Sequence, residues 1–246
     1  MEDKEFADYK YHSMKRNKYD DRFLTPHMIH NYTIIWMDGI NRTAEGHVPL
    51  FAEDKYGMVT PEARVILLNP QEKFVSFYNA RVRNWYNIKY IGNSHHDAVI
   101  NEEQLEEHTT RVKGIIDREV KLLNGNYSKI MVGGFGEGAC IAYNTFLKTK
   151  KKLGGIIALS GHCPPSLKIS GITDEQKKVP IFSFHGDEDE VIPETVHRYG
   201  ANLLKIAKCN IKYKTAPRLD HKLTLDIIEE VGKFIPEVQF GDPDWV

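Results

Sequence analysis

Residues 129 to 147, KIMVGGFGEGACIAYNTFL, carry an apolar, β-branched run through four closely spaced glycines directly into a stretch of helical period. Such a run is a buried strand feeding a helix through a turn with no room for side chains. This is the setting of the nucleophile elbow, G-x-S-x-G, in which a strained central residue lifts its side-chain oxygen clear of a sheet. Here the five positions are Gly134, Phe135, Gly136, Glu137 and Gly138, so glycine stands at the centre. A non-glycine residue held there carries strain of about 1 to 3 kcal/mol, which glycine largely escapes. A glycine therefore favours folding and removes covalent catalysis. Gly134, Gly136 and Ala139 also satisfy a dinucleotide fingerprint, but that motif requires an acidic residue about twenty positions on. Leu159, Ser160 and Gly161 stand there instead, so no cofactor is expected.

The rest of the chain alternates in the same way. Short apolar runs at Tyr32 to Met37, Arg64 to Leu68, Lys129 to Gly133, Gly155 to Ser160, Val179 to His185 and Ile211 to Thr215 read as strands buried on both faces. Helices are predicted between them at Glu102 to Leu123, Gly138 to Thr149, Pro193 to Ala207 and Leu223 to Phe234, the first with Leu105, Val112, Ile115, Ile116 and Val120 on one stripe. The fold class expected is α/β: a mostly parallel central sheet with helices on both faces. Residues 31–236 form the expected domain, flanked by an N-terminal extension, 1–30, and a C-terminal tail, 237–246. Both flanks fall outside the alternation and carry aromatics such as Phe6, Tyr9, Tyr11, Phe240 and Trp245.

Composition excludes several classes. With 33 basic and 34 acidic residues the formal net charge is -1, so no global field attracts nucleic acid or an anionic membrane. Cys140, Cys163 and Cys209 are widely spaced and form no CxxC pair, which excludes a zinc site and points to a reducing compartment. No run of about eighteen apolar residues is present, and the acid-rich start does not resemble a secretory or cleavable organellar leader. An intracellular protein is expected, cytoplasmic by default, with association to a mitochondrial complex as the alternative.

The run from Gly133 to Pro165, GGFGEGACIAYNTFLKTKKKLGGIIALSGHCPP, resembles the GGFSQGG…LAGVIALSG..P stretch of acyl-protein thioesterases and related carboxylesterases. FHGDEDEVIP resembles that family's HGD.D..VP motif, WMDGIN its LHGLGD loop and RNWYNI its SWFD element. The similarity extends from about Tyr32 to Phe234. It implies the α/β-hydrolase fold and a triad whose nucleophile, acid and histidine fall on Gly136, Asp189 and His221 in that order. Asp189 follows a strand ending at His185, where a loop carboxylate can orient an imidazole, and His221 opens the last helical segment. The oxyanion-hole amides fall on Ile40 and Glu137.

Departures from the family pattern accumulate at this site. Glycine replaces the serine at Gly136, and Glu137 replaces a glutamine, where a carboxylate is expected to oppose a developing oxyanion although it suits a helix N-terminus. Asp38 replaces the histidine of the HG pair and Asn87 the aspartate of WFD. Cys140 is expected to be a small buried residue and Ser160 structural, so neither restores the nucleophile. The function expected is that of a catalytically inactive family member, an accessory or structural subunit contacting protein partners through its extension and tail. Two alternatives stand beside it: a residual or engineered-inactive serine esterase or thioesterase, and a non-hydrolytic module that holds an acyl or lipid ligand.

Overall fold

The computed structural model describes residues 11–56, 58–92 and 98–241. Its centre is an eight-stranded sheet. Six of its strands are β3 (Tyr32–Met37), β4 (Ala63–Leu68), β9 (Ile130–Phe135), β10 (Gly155–Leu159), β11 (Ile181–Gly186) and β12 (Ile211–Ala216). They lie in the order β4-β3-β9-β10-β11-β12 and are parallel throughout. The apolar runs read as strands in the sequence all appear here, with ends shifted by a residue or two. The fold is the α/β-hydrolase fold expected.

Both faces of the sheet are covered. Along β3, Ile35 and Met37 enter one core and Ile34 and Trp36 the other, because successive side chains point to opposite faces. The first core packs under α2 (Glu102–Leu122), α3 (Glu137–Lys148) and α5 (Glu194–Ile206), through Val112, Ile116, Tyr143 and Leu204. The second packs under α1 (Ala44–Ala52) and α6 (Leu225–Phe240), through Phe51, Val231 and Phe234. Helix α2 starts where the Asn101 side chain accepts from the Gln104 amide, satisfying one of the donors left open at a helix N-terminus. A short α4 (Asp174–Lys177) closes the described helices. Among the described residues no helix is long and apolar enough to cross a membrane.

Two expectations are corrected. Residues 11–26, placed by the sequence in an extension, form β1 (Tyr11–Arg16) and β2 (Arg22–Pro26), an antiparallel hairpin that pairs with β4 and completes the sheet. Its apolar anchors are scattered among polar residues, which is why no apolar run announced it. Tyr11 and Leu24 are buried, and the buried Asp21 carboxylate accepts from Arg111 of α2 at 2.6 Å and from the Asn69 amide at 2.8 Å. Likewise α6 continues past the expected boundary through Pro236 to Phe240. The proline removes one backbone donor, but Val238 packs against the core and Phe240 sets its ring edge against Tyr32 at 5.9 Å, holding the last turn. The remaining parts of the two flanks, residues 1–10 and 242–246, lie outside the described residues.

Between β4 and α2 run two small hairpins that the sequence did not signal, β5 (Gln71–Val75) with β6 (Ala80–Asn84) and β7 (Ile88–Tyr90) with β8 (Val99–Ile100). In β5 the exposed positions are Glu72 and Phe74, so the strand shows no alternation of apolar and polar residues.

The hairpin's dependence on Arg111 is testable. Arg111→Met leaves a buried carboxylate without its cation and is expected to lower the unfolding free energy by about 2 to 4 kcal/mol in urea denaturation. Asp21→Asn added to that variant is expected to recover part of the loss, because the stranded charge is gone.

Candidate functional site

The strand β9 ends at Phe135 and α3 begins at Glu137, so the chain turns at the single residue Gly136, with φ 58° and ψ -120°. The glycines on either side are there for a different reason. An ideal Cβ on Gly134 would fall 2.4 Å from the Met37 carbonyl oxygen, and one on Gly138 2.2 Å from it. Neither position admits a side chain while the elbow lies against β3. At Gly136 the limit is conformational rather than steric: its Cβ position is 3.4 Å from Gly39 Cα and 3.5 Å from His221 Nε2, ordinary contact distances. There is room for a small side chain, but the left-handed φ strains any residue with a Cβ.

His221 and Asp189 converge on that position. Asp189 lies after β11 and His221 in the loop between β12 and α6, ahead of the helix rather than opening it as the sequence suggested. Asp189 Oδ2 lies 2.7 Å from His221 Nδ1, while Asp189 Oδ1 accepts from the Val191 and Ile192 amides at 2.9 Å each. Burial alone would raise this carboxyl, but hydrogen bonds from His185 and His221 outweigh it and hold Asp189 well below the usual carboxylate range. An ionised carboxylate only accepts, so His221 Nδ1 donates to it, and Nε2 faces Gly136. The Phe135 ring, 4.7 Å from the His221 ring, fixes the imidazole from the other side.

The cleft above the elbow holds about 290 Å³ and is lined by Gly39, Ile40, Gly136, Glu137 and His221 with apolar walls from Phe77, Tyr78, Ile88 and Ile91. Among the described residues, neither the Ile40 nor the Glu137 N–H donates to another group, and both residues border this space. The Glu137 carboxylate corrects the sequence reading. It is buried and turned to the Trp85 backbone, accepting from that N–H at 2.9 Å, with Oε1 buried and unpartnered. Burial pushes the carboxyl up to about 8, against the opposing pull of the Trp85 N–H and Lys73. At neutral pH it is therefore mostly the uncharged acid, a shape and polarity close to glutamine, and does not oppose an oxyanion.

The other residues that the sequence set apart around the site have structural partners or lie buried. Asp38 Oδ1 accepts from the Gly39 amide at 2.6 Å, its Oδ2 pairs with His47 Nε2 at 2.5 Å, and its carbonyl accepts from Trp85 Nε1 at 2.6 Å. Burial disfavours a charged His47, but the Asp38 carboxylate outweighs that and raises its pKa. Asn87 ties the two small hairpins: its Oδ1 accepts from the Ser76 amide at 2.7 Å and its Nδ2 donates to Ser76 Oγ at 2.9 Å. Cys140 and Ser160 are buried, and burial pushes the Cys140 thiol up to about 12. Sequence reading did not single out His185, which donates from Nε2 to the Ile192 carbonyl at 2.7 Å and lies 3.2 Å from Asp189 Oδ2, nor Trp85, Phe77 and Tyr78. His185 and Trp85 sit inside quoted motifs and were within reach; Phe77 and Tyr78 carried no signal before the hairpin was known.

The Glu137 environment has a definite pH signature. A carboxyl whose folded pKa is raised from about 4.5 to about 8 binds a proton on folding between those values, so it costs stability increasingly as pH rises through that window. Glu137→Gln is expected to raise unfolding free energy at pH 8 by an amount on the order of a few kcal/mol. The gain should shrink as pH falls towards about 4.5, as read by denaturation at a series of pH values.

Both the sequence and the fold have known relatives. The chain is 27% identical over 215 residues to acyl-protein thioesterase 1 of Neurospora crassa, covering 85% of this chain and 87% of that one. It is 27% identical over 222 residues to acyl-protein thioesterase 1 homolog 1 of Dictyostelium discoideum, covering 89% and 95%. The crystal structure of Arabidopsis thaliana SOBER1 superposes with a TM-score of 0.75 at 22% identity, covering 84% of this chain and 98% of that one, and supports the fold. The Phospholipase/Carboxylesterase family profile matches residues 23–239, from the second strand of the N-terminal hairpin almost to the end of α6. With most of its length, elbow included, inside that match, the chain belongs to the phospholipase/carboxylesterase family.

Proposed function

We propose that this chain is a catalytically inactive member of its family, with glycine in place of the serine nucleophile, and that it serves as an accessory or structural subunit of a larger assembly. One observation carries the reading. His221 Nε2 faces a position, 3.5 Å away, that has no side chain to activate. In a serine protease the loss of the nucleophile alone lowers kcat about a millionfold. Among the described residues nothing nearby replaces it: the Cys140 thiol is buried within α3 and unionised at neutral pH, and Ser160 is buried.

The surviving Asp189–His221 pair does not argue for turnover. Asp189 also binds two backbone amides and His185, so it holds the loop from residue 189 to 192 in shape whether or not chemistry occurs. The termini, residues 1–10 and 242–246, are the proposed contacts with partners, and an intracellular setting fits three free, buried cysteines.

The purified chain is expected to take no fluorophosphonate label and to hydrolyse p-nitrophenyl butyrate at the rate of buffer. Turnover abolished by His221→Ala would overturn the reading. Because the Ile40 and Glu137 amides are free and Glu137 is turned away, Gly136→Ser is expected to take the label, with stability lowered by about 1 to 3 kcal/mol from the strained φ. In native size separation of a lysate, the full chain is expected to run above its monomer mass. A chain without residues 1–10 and 242–246 is expected to run as the monomer; identical profiles would count against the assembly role.

A further inference from the structure

The cleft over Gly136 does not end at His221. It opens there into a second, shallower bay of about 730 Å³, and the two share Glu190, Val191 and His221. They form one groove with unlike ends. The inner end is apolar, with Ile40, Phe77, Tyr78, Ile88 and Ile91. The outer end is lined by Asp187, Glu188, Asp189, Glu190 and Asp220, with no basic residue except His221 among the described residues.

Three of these carboxylates are occupied. Asp189 holds His221, Asp187 accepts from the Arg218 amide, and Asp220 pairs with Lys222. Glu188 and Glu190 are exposed and, among the described residues, meet no cation. Two unneutralised carboxylates beside further acids raise the local negative potential and favour a cationic group there. At the inner lip, Phe77 and Tyr78 stand 55% and 46% exposed with rings edge to face at 5.1 Å, and Val191 is 48% exposed opposite them. A contiguous exposed apolar rim around a cavity marks a surface that is covered in use.

We propose that this groove holds a segment of a partner protein in which an apolar side chain is followed by lysine or arginine. The apolar side chain enters the cleft over Gly136 and the basic residues lie along Glu188 and Glu190. This deepens, and rests on, the reading of the chain as a catalytically inactive member that binds protein partners. Charge chooses the occupant: an acyl chain alone leaves the acidic bay unfilled, and an anionic lipid surface is repelled by it. A peptide in extended form advances about 3.3 Å per residue, so a few residues span from the elbow past His221 into the bay.

The test is fluorescence polarisation with dye-labelled synthetic peptides, two leucines followed by three lysines and the same peptide with glutamates in place of the lysines. The basic peptide is expected to bind at least about tenfold tighter, and more weakly as salt is raised. Glu188→Lys with Glu190→Lys is expected to weaken it about tenfold or more and to narrow the difference between the two peptides. Phe77→Ser is expected to weaken both peptides by about the same factor, through the apolar end. These positions are exposed, and unchanged melting temperatures will confirm that the variants fold. Absence of binding, equal binding of the two peptides, or insensitivity to charge reversal would overturn the assignment. The peptides contain no ester, so their failure sinks the groove alone, whereas esterase turnover of the native chain would sink the reading beneath it.

Discussion

The Met37 carbonyl at the end of β3 leaves no space for a Cβ at Gly134 or Gly138. That contact presses the turn between β9 and α3 against the neighbouring strand and sets where position 136 stands. Everything around the site is arranged with respect to it: the loop carrying Ile40 on one side, His221 on the other, and the Phe135 ring beneath the imidazole. The constraint is steric and backbone-based. It is consequently indifferent to whether the central residue bears a hydroxyl, and the elbow keeps its form with glycine at its tip.

This separates the parts of the site that fold from the part that would react. Asp189 is held by four partners, of which only His221 belongs to a catalytic pair in the chemical sense. The acid is thus held by the loop after β11, and the histidine by the acid and the Phe135 ring. Gly136 has no comparable structural duty: glycine carries the left-handed φ without the strain that a side chain there would bring.

Buried polar groups around the elbow show two ways in which charge is accommodated. Glu137 keeps one hydrogen bond, to the Trp85 amide, and gives up its charge near neutral pH because burial outweighs what Lys73 offers. Asp38 takes the other route and recruits His47 as a partner. One residue is neutralised by protonation and the other by pairing. Residue type alone does not distinguish these outcomes, since both are carboxylates beside the same tryptophan.

The parallel sheet, its helices and the elbow were legible in the sequence because they depend on local period and on glycine spacing. Tyr32 to Met37, buried on every side, reads as a strand wherever it is placed. The order of Gly136, Asp189 and His221 was legible through motifs. Other features were not, because they are made by residues distant in sequence. The N-terminal hairpin is bound by a carboxylate that meets an arginine 90 residues on. The direction of the Glu137 side chain depends on a backbone amide 52 residues before it. The joining of an apolar cleft to an acidic bay needs the β5–β6 turn and the loop after β11 to face each other. A sequence states which side chains are available and which short segments are helical or extended; only the folded chain settles which charges are brought together, buried or left open to a partner.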